Sequence, residues 1–205
     1  LVALSGNSGG SGGPHLHFEY RDTKTEMIIN PLLFGLDKKM KDTKAPAIHG
    51  LMAYPLSDDA VVNETRKAYL LNLKLQKDGS YIAEKLMAKG KIGFSISATD
   101  KSTGSMGNNG IYKAESFYNG SPGFSYKFDA FAFDESRYIN NFIDYPHYYA
   151  TGQRFQKLFI KTPYNLSIVR NNKTNGQFDI VPGEVKNFRI EVSDLYGNKV
   201  IVNGS

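Results

Sequence analysis

The chain has 205 residues, of which 40% are apolar and 13% aromatic, enough for one or two domains with a sizeable core. Its 25 basic and 20 acidic residues give a net charge of +5, and the lysines are scattered without a basic cluster, so we expect no nucleic-acid partner. The absence of cysteine excludes a disulfide framework and a Cys-ligated metal site, and no apolar run approaches the roughly 18 residues of a transmembrane segment.

The first informative pattern is a histidine pair close to the start of the sequence. Residues 1–4 predict the end of a strand, a Gly/Ser-rich turn follows, and His15–Tyr20 predicts the next strand. Side chains alternate along a strand, so His15 and His17 are expected to face one pocket, with Leu16 turned into the core. Neutral imidazole is the commonest protein metal ligand, which makes this pair typical of a zinc hydrolase. The alternative is a pair of polar strand residues at a surface.

The stretch around this pair resembles a known family. Residues 6–19, GNSGGSGGPHLHFE, are similar to the last signature of the lysostaphin/LytM-type zinc endopeptidases, G-N-T-G-x-S-T-G-P-H-L-H-F-E. Ser8 and Gly12 stand where the family has threonine, and both keep a small turn residue. Asn30-Pro31-Leu32 resembles the motif that closes the family's catalytic domain. The resemblance covers residues 1 to about 36.

The resemblance implies a function for the pair. It implies that His17 is a zinc ligand and that His15 is the catalytic histidine, which polarises the substrate or the metal-bound water. Glu19 follows at the same face and either orients an imidazole or is a polar strand end. The family cleaves peptidoglycan cross-bridges, so the resemblance also implies zinc as the cofactor, peptidoglycan or another envelope polymer as the partner, and a place in the bacterial cell envelope.

One part of the family pattern is missing. The family's other zinc ligands come from an H-x-x-x-D motif, and neither His49 nor His147 is followed four residues later by Asp. A catalytic zinc usually has three protein ligands and a water molecule. We therefore expect this chain to be the C-terminal part of a longer enzyme, or of a gene whose start is assigned too late, binding zinc weakly and inactive alone. The alternative is a non-catalytic envelope-binding or scaffold module.

Composition changes sharply after the histidine pair. Residues 1–37 are assigned to the C-terminal fragment of the peptidase domain, and the charged residues 38–44 to a linker. Ala45-Pro46 then begins a region of alternating runs, 45–205, which resembles immunoglobulin-like modules of bacterial surface proteins and provides a possible protein-partner surface. The predicted class is all-β: a remnant of the antiparallel LytM-type sheet, then one large sandwich or two small ones, 45–133 and 150–205.

Regular alternation predicts the strands of this region. Tyr69–Gln76 is predicted as one strand with Leu71, Leu73 and Leu75 on one face, and Asp78-Gly79 as a hairpin turn. Lys91–Thr99 is predicted to turn Ile92, Phe94 and Ile96 inward. Further strands are predicted at 47–54, 111–118, 124–133, 155–161, 165–169, 176–180, 185–192 and 198–202.

Four features interrupt or border the strands. Helix-like spacing of Tyr138, Ile139, Phe142 and Ile143 predicts one short helix near 135–145, capped by Asp134. An oxygen-rich loop contains Asp100, Asn108 and Asn109; we interpret it as a plain hairpin, with a calcium site as the alternative. The aromatic cluster Tyr145–Tyr149 surrounds His147, and we interpret it as packing over the sandwich edge or as a patch that binds a sugar or a partner. His49 is interpreted as a strand histidine.

Overall fold

The computed structural model describes residues 4–7, 12–35, 42–104, 107–161, 163–171 and 174–205, and these are mainly β-strands, which confirms the all-β class. The strands of the first half are β1 (Tyr20–Arg21), β2 (Ile28–Ile29), β3 (Ala47–Pro55), β4 (Val61–Val62), β5 (Tyr69–Leu71), β6 (Leu73–Leu75), β7 (Tyr81–Ala83) and β8 (Ala88–Thr99). Those of the second half are β9 (Lys113–Tyr118), β10 (Ser121–Lys127), β11 (Ala130–Phe131), β12 (Gln156–Lys157), β13 (Val169–Asn171), β14 (Phe178–Ile180), β15 (Phe188–Ser193) and β16 (Lys199–Gly204).

Two sheets pack against each other to form a sandwich. One has seven strands in the order β13-β10-β9-β15-β16-β7-β6, and the other has the order β12-β8-β3-β5 with β4 and β14 also paired to β8. The pairing is antiparallel apart from β7 and β16, which are parallel. Strands from 45–133 and from 150–205 occur in both sheets, so the region forms one large sandwich rather than two small ones.

Strand β8 lies at the centre of the core. Ile92, Phe94 and Ile96 are buried as the alternation predicts, and the ring of Phe94 lies 4.4 Å from that of Phe188 in the opposite sheet. The other face of β8 is covered as well, since a Cβ at Gly93 would lie 2.6 Å from the Phe159 ring. Glycine at this position therefore lets an aromatic side chain lie directly on the strand.

The prediction of one strand over Tyr69–Gln76 is wrong, because the chain changes sheets at Asn72. Leu71 is buried in β5, whereas Leu75 in β6 is 61% exposed, so the leucines do not share one buried face. The Glu84 carboxylate accepts hydrogen bonds from the backbone and side-chain amides of Asn72 and thereby holds the crossover. The hairpin turn at Gly79 is confirmed, with φ at +83° and β6 antiparallel to β7.

The predicted short helix is three pieces rather than one. A 3-10 helix spans Phe133–Tyr138, and two α-helices follow, α1 (Ile139–Phe142) and α2 (Tyr145–Thr151). The predicted cap Asp134 lies inside the 3-10 helix; instead Asp144 caps α2 by accepting from the His147 N–H at 3.2 Å, next to Pro146 in the first turn. Among the described residues, no helix is long and apolar enough to cross a bilayer.

Residues 12–35, which we call the histidine segment, attach to the sandwich through a small sheet of their own. Strands β1 and β2 form a hairpin, and β2 pairs with β11. Asn30 fixes the end of this hairpin: its N–H donates to Asp129 O at 2.7 Å, its Nδ2 donates to Phe128 O at 3.2 Å, and its Oδ1 accepts from Leu32 N–H at 3.1 Å. The predicted domain boundary near residue 37 lies outside the described residues.

The apolar residues after Asn30 lie outside the sandwich core. Pro31–Phe34 form a 3-10 helix in which Leu33 and Phe34 are about half exposed. The Phe34 ring packs on Tyr20 of β1, with the ring centres 4.3 Å apart, instead of entering the sandwich core. Of the strand predicted at residues 1–4, only Leu4 is described, and it lies outside any regular element.

Candidate functional site

His15 lies in extended chain rather than in a long strand. The predicted strand His15–Tyr20 pairs regularly only from Tyr20 onward, and His15 makes a single antiparallel bridge in which its N–H donates to Gly6 O at 3.2 Å. Its ring Nδ1 lies 3.0 Å from Gly13 O. The pairing is short because residues 16–19 have no ladder partner within the described ranges. Both His15 and His17 are exposed, so the described residues do not enclose them in the expected pocket.

Side chains nevertheless alternate along this extended chain. The His17 Nε2 lies 3.5 Å from Glu19 Oε2, and the Arg21 guanidinium donates to Glu19 Oε1, with its Nε at 2.7 Å. His17, Glu19 and Arg21 therefore form one polar row. The hydrogen bond from Arg21, and a weaker effect of His17, lower the pKa of Glu19 and keep it a carboxylate beside the imidazole.

The opposite face of the segment is apolar, and the described residues leave it exposed. Leu16 is 61% exposed and Phe18 58% exposed, so the expectation that Leu16 faces a core is wrong for the described residues. Phe18 contacts Tyr20 edge-on at 5.1 Å, and no described strand covers the two apolar side chains that alternate with the histidines. Alternation of polar and apolar residues is typical of a strand whose apolar face packs against a second layer. Residues 15–21 alternate in this way, but the described residues provide no such layer.

The described residues do not complete a catalytic zinc centre around His17. Such a centre needs three protein ligands that converge on one point. In the part of the chain that the structure describes, the group of three carboxylate or imidazole ligand atoms that do converge consists of Asp42, Asp100 and Asp194, and neither histidine belongs to it. If His17 is a zinc ligand, further ligands of that zinc must therefore come from outside the described residues.

The loop with Asn108 and Asn109 lines a polar pocket instead of surrounding Asp100 with ligands. The backbones of Asp100 and Asn109 bond each other in both directions and close the loop as a hairpin, as predicted. The pocket has a volume of about 550 Å³ and includes His49, whose Nε2 lies 2.7 Å from Thr99 Oγ1. The strand position of His49 in β3 agrees with the prediction.

The aromatic cluster Tyr145–Tyr149 lies on α2. His147 packs edge-on against Phe155 with ring centres 5.1 Å apart, and Tyr148 packs against the core, so this side of the helix covers the sandwich edge. Tyr149 is 84% exposed and lies with Tyr145 on the outer side, with their ring centres 6.4 Å apart. The helix therefore provides both packing and an exposed aromatic surface.

Sequence reasoning missed the partners of Asp100. Asp42 lies in the predicted linker and Asp194 follows the strand predicted at 185–192, and these residues are too far apart in sequence for any local pattern to join them. Burial, and then the neighbouring carboxylates of Asp194 and Asp42, raises the pKa of Asp100. The available signal was the similarity of two segments, since Asp100 and Asp194 each follow an alternating strand and precede a Gly-Asn turn.

Comparisons with protein-family models, with curated proteins and with solved structures find no match for this chain.

Proposed function

We propose that this chain is the C-terminal portion of a zinc-dependent cell-wall endopeptidase of the LytM type, with the β-sandwich as its accessory region. The observation that carries the proposal is the sequence signature from Gly6 to Glu19, whose two histidines lie just before a hairpin joined to the sandwich through β11. The substrate is then peptidoglycan, and the protein acts in the bacterial cell envelope.

The attachment of the histidine segment supports this proposal. Three hydrogen bonds hold Asn30 at the end of the hairpin, and the Arg21 guanidinium lies 4.8 Å from the centre of the Phe133 ring. These contacts attach the hairpin that follows His15 and His17 to the sandwich. An accessory region attached in this way is suited to holding a polymeric substrate beside the reacting bond.

A second observation supports the proposal: residues 16–19 have no ladder partner among the described residues, and Leu16 and Phe18 are exposed. Further strands of a peptidase sheet could pair with this segment, and their side chains on the histidine face would supply the remaining zinc ligands. Because the described residues do not contain a three-ligand set with His17, we expect the 205-residue chain alone to bind zinc weakly and not to hydrolyse peptide bonds.

The natural polypeptide, recovered from its source cells with an antibody against the sandwich, tests the proposal. We expect a polypeptide heavier than 22.8 kDa, one zinc per molecule, and peptidoglycan hydrolysis that a chelator abolishes. His17→Ala in that polypeptide removes zinc and activity, whereas Asp58→Asn, at an exposed aspartate of the sandwich, keeps both. Zinc and activity that survive His17→Ala overturn the ligand assignment, and a 22.8 kDa polypeptide without zinc overturns the proposal.

A non-catalytic envelope-binding module is the second candidate, and the polar pocket at His49 favours it. The pocket is large enough for a sugar ring or a short peptide, and it is lined by Arg154, whose guanidinium lies 5.1 Å from the centre of the Tyr148 ring. An arginine beside an aromatic face can bind the carboxylates and sugar faces of peptidoglycan.

Co-sedimentation of the 205-residue chain with insoluble peptidoglycan tests this second candidate. We expect Arg154→Gln to weaken binding by about tenfold, since it removes one charge-assisted contact. The control is Arg137→Gln, because Arg137 lies over the Tyr138 ring in the 3-10 helix and does not line the pocket. If the wild-type chain stays in the supernatant, or if both variants bind equally, the pocket has no such role.

A further inference from the structure

Three aspartates from distant parts of the chain meet at one end of the sandwich. Asp42 precedes β3, Asp100 follows β8 and Asp194 follows β15, and one carboxylate oxygen of each lies within 4.8 Å of those of the other two. Strands β3 and β8 belong to one sheet and β15 belongs to the other. The cluster therefore spans both layers of the sandwich.

The protein shields these carboxylates from water without neutralising them. Asp42, Asp100 and Asp194 are 9%, 7% and 3% exposed, and none of them forms an ion pair with a described residue. Neutral groups satisfy part of the cluster: Thr103 donates its N–H and its hydroxyl to Asp42 Oδ1, and Asn198 donates its N–H and its side-chain amide to Asp194. Three negative charges so close together repel one another strongly at low solvent exposure.

Two carboxylate oxygens of these aspartates have no hydrogen-bond partner among the residues that the structure describes. Asp42 Oδ2 and Asp100 Oδ1 are both buried and accept from no described group. A buried acceptor without a donor costs free energy, and more so when it carries a charge. One carboxylate oxygen of each side chain belongs to the cluster, so a cation bound there would partner these carboxylates and offset their repulsion.

We propose that Asp42, Asp100 and Asp194 together bind one Ca²⁺ ion. Ca²⁺ takes oxygen ligands at about 2.3–2.6 Å, so ligands on opposite sides of one ion lie up to about 5 Å apart, which accommodates the observed spacing. A purely carboxylate set selects a hard cation rather than zinc, which prefers nitrogen and sulfur. Ligands from three separate loops suit the flexible coordination of Ca²⁺ better than the strict octahedron of Mg²⁺.

The remaining ligands can come from water, because a cavity of about 390 Å³ reaches both Asp100 and Asp194. Asn30 and Leu32 of the histidine segment line the same cavity, and the Asp42 carbonyl accepts from Asn198 Nδ2 at 3.0 Å. The ion thus stabilises the place where the chain enters the sandwich, next to the attachment of the histidine segment. This inference does not depend on the proposed peptidase function.

Thermal unfolding of the full 205-residue chain tests the site, first in EDTA and then with CaCl₂ alone as the probe. At about 100 times the dissociation constant, we expect Ca²⁺ to raise Tm by about 5–10 °C, with Mg²⁺ giving a smaller rise at equal concentration. Calorimetric titration of the EDTA-treated chain should give one Ca²⁺ per molecule. An unchanged Tm together with no bound Ca²⁺ overturns the proposal.

Two variants separate a calcium site from a purely structural cluster. Asp100→Asn keeps the size of the side chain and removes one repelling charge, so we expect the EDTA-state Tm to stay equal or rise while the Ca²⁺ response disappears. Asp58→Asn, at an exposed aspartate outside the cluster, should keep the full response. A Ca²⁺ response that survives Asp100→Asn overturns the assignment. If that variant does not fold, Asp194→Glu, which keeps the charge but lengthens the ligand, must weaken Ca²⁺ binding.

Discussion

The histidine segment and the aspartate cluster both hold possible metal ligands, but their surroundings are opposite. The His17 side chain is 74% exposed, so solvent hydrates its imidazole with or without an ion. Asp100 is 7% exposed and one of its oxygens accepts no hydrogen bond from a described residue. Burial therefore makes an ion part of the stability of the aspartate cluster, whereas an ion at the histidines adds chemistry without being needed for folding.

The two regions also differ in how they are held. The sandwich is held by a continuous core that includes Phe94 and Phe188, whereas the histidine segment is held by two short strand pairs and the hydrogen bonds of Asn30. Local unfolding should therefore begin in the segment, since it has few buried apolar contacts. The same substitution made in each region measures this difference.

The largest effect is expected from Leu51→Ala compared with Leu16→Ala. Leu51 is fully buried in β3, and its truncation should lower the free energy of unfolding by about 3–5 kcal/mol. Leu16 is 61% exposed, and its truncation should change that free energy by less than about 0.5 kcal/mol. Urea midpoints of the two variants measure the contrast. Equal losses would show that Leu16 lies in a core that the described residues do not include.

The next largest effect is expected when one variant of each proposed metal site is tested for binding of both Ca²⁺ and zinc. Asp100→Asn should remove the Tm rise of several degrees caused by Ca²⁺ and leave weak zinc binding unchanged. His17→Ala should remove the weak zinc binding and leave the Tm rise caused by Ca²⁺ unchanged. The two sites share no ligand, so their effects should be independent. Zinc binding measured by calorimetry and Tm measured in CaCl₂ provide the two readouts. Loss of both responses in either variant would show that the sites are coupled.

Asn30→Ala tests the attachment of the segment and should have an intermediate effect. It removes the bond to Phe128 O and the cap of the 3-10 helix, at a cost of about 1–2 kcal/mol. Amide exchange should speed up at Ile28 and Ile29 and stay unchanged in the core strand β8. Lys24→Ala is the control, because Lys24 contributes only its backbone N–H to the turn of the same hairpin. Equal exchange in the two variants would contradict the role of Asn30.

Local patterns predicted those parts of the fold that local physics determines. Alternation along β8 gave the inward positions of Ile92, Phe94 and Ile96, and Asp78-Gly79 gave the turn, because each depends on neighbouring residues only. The change of sheet at Asn72 depends instead on Glu84, twelve residues away, which accepts from its amides. A period-2 pattern continues through such a crossover, so the sequence does not reveal it.

The same reasoning applies to the two sites. The His15 and His17 pair is contiguous and therefore visible in the sequence, together with the polar row that continues to Glu19. Asp42 and Asp194 meet Asp100 only when both sheets have formed, so their convergence is a property of the tertiary structure. Exposure of Leu16 was also missed, because alternation predicts which side chains share a face but not whether anything covers it.

The smallest effect is expected at Glu19, where the sign of the pH dependence follows from Arg21. The hydrogen bond from Arg21 lowers the pKa of Glu19 below its ordinary value of 4.5, so the contribution of this pair is present above that value and is lost as the pH falls through the lowered pKa. Because the pair is exposed, we expect the effect in a carboxyl NMR titration rather than in Tm. Arg21→Gln should move the Glu19 midpoint upward toward 4.5, and Arg137→Gln should leave it unchanged.

A wild-type midpoint at or above 4.5 would contradict the contact between Glu19 and Arg21. A lowered midpoint means that Glu19 is a carboxylate at neutral pH. That carboxylate, with its Oε2 3.5 Å from His17 Nε2, can then accept a hydrogen bond from the imidazole and orient the ring.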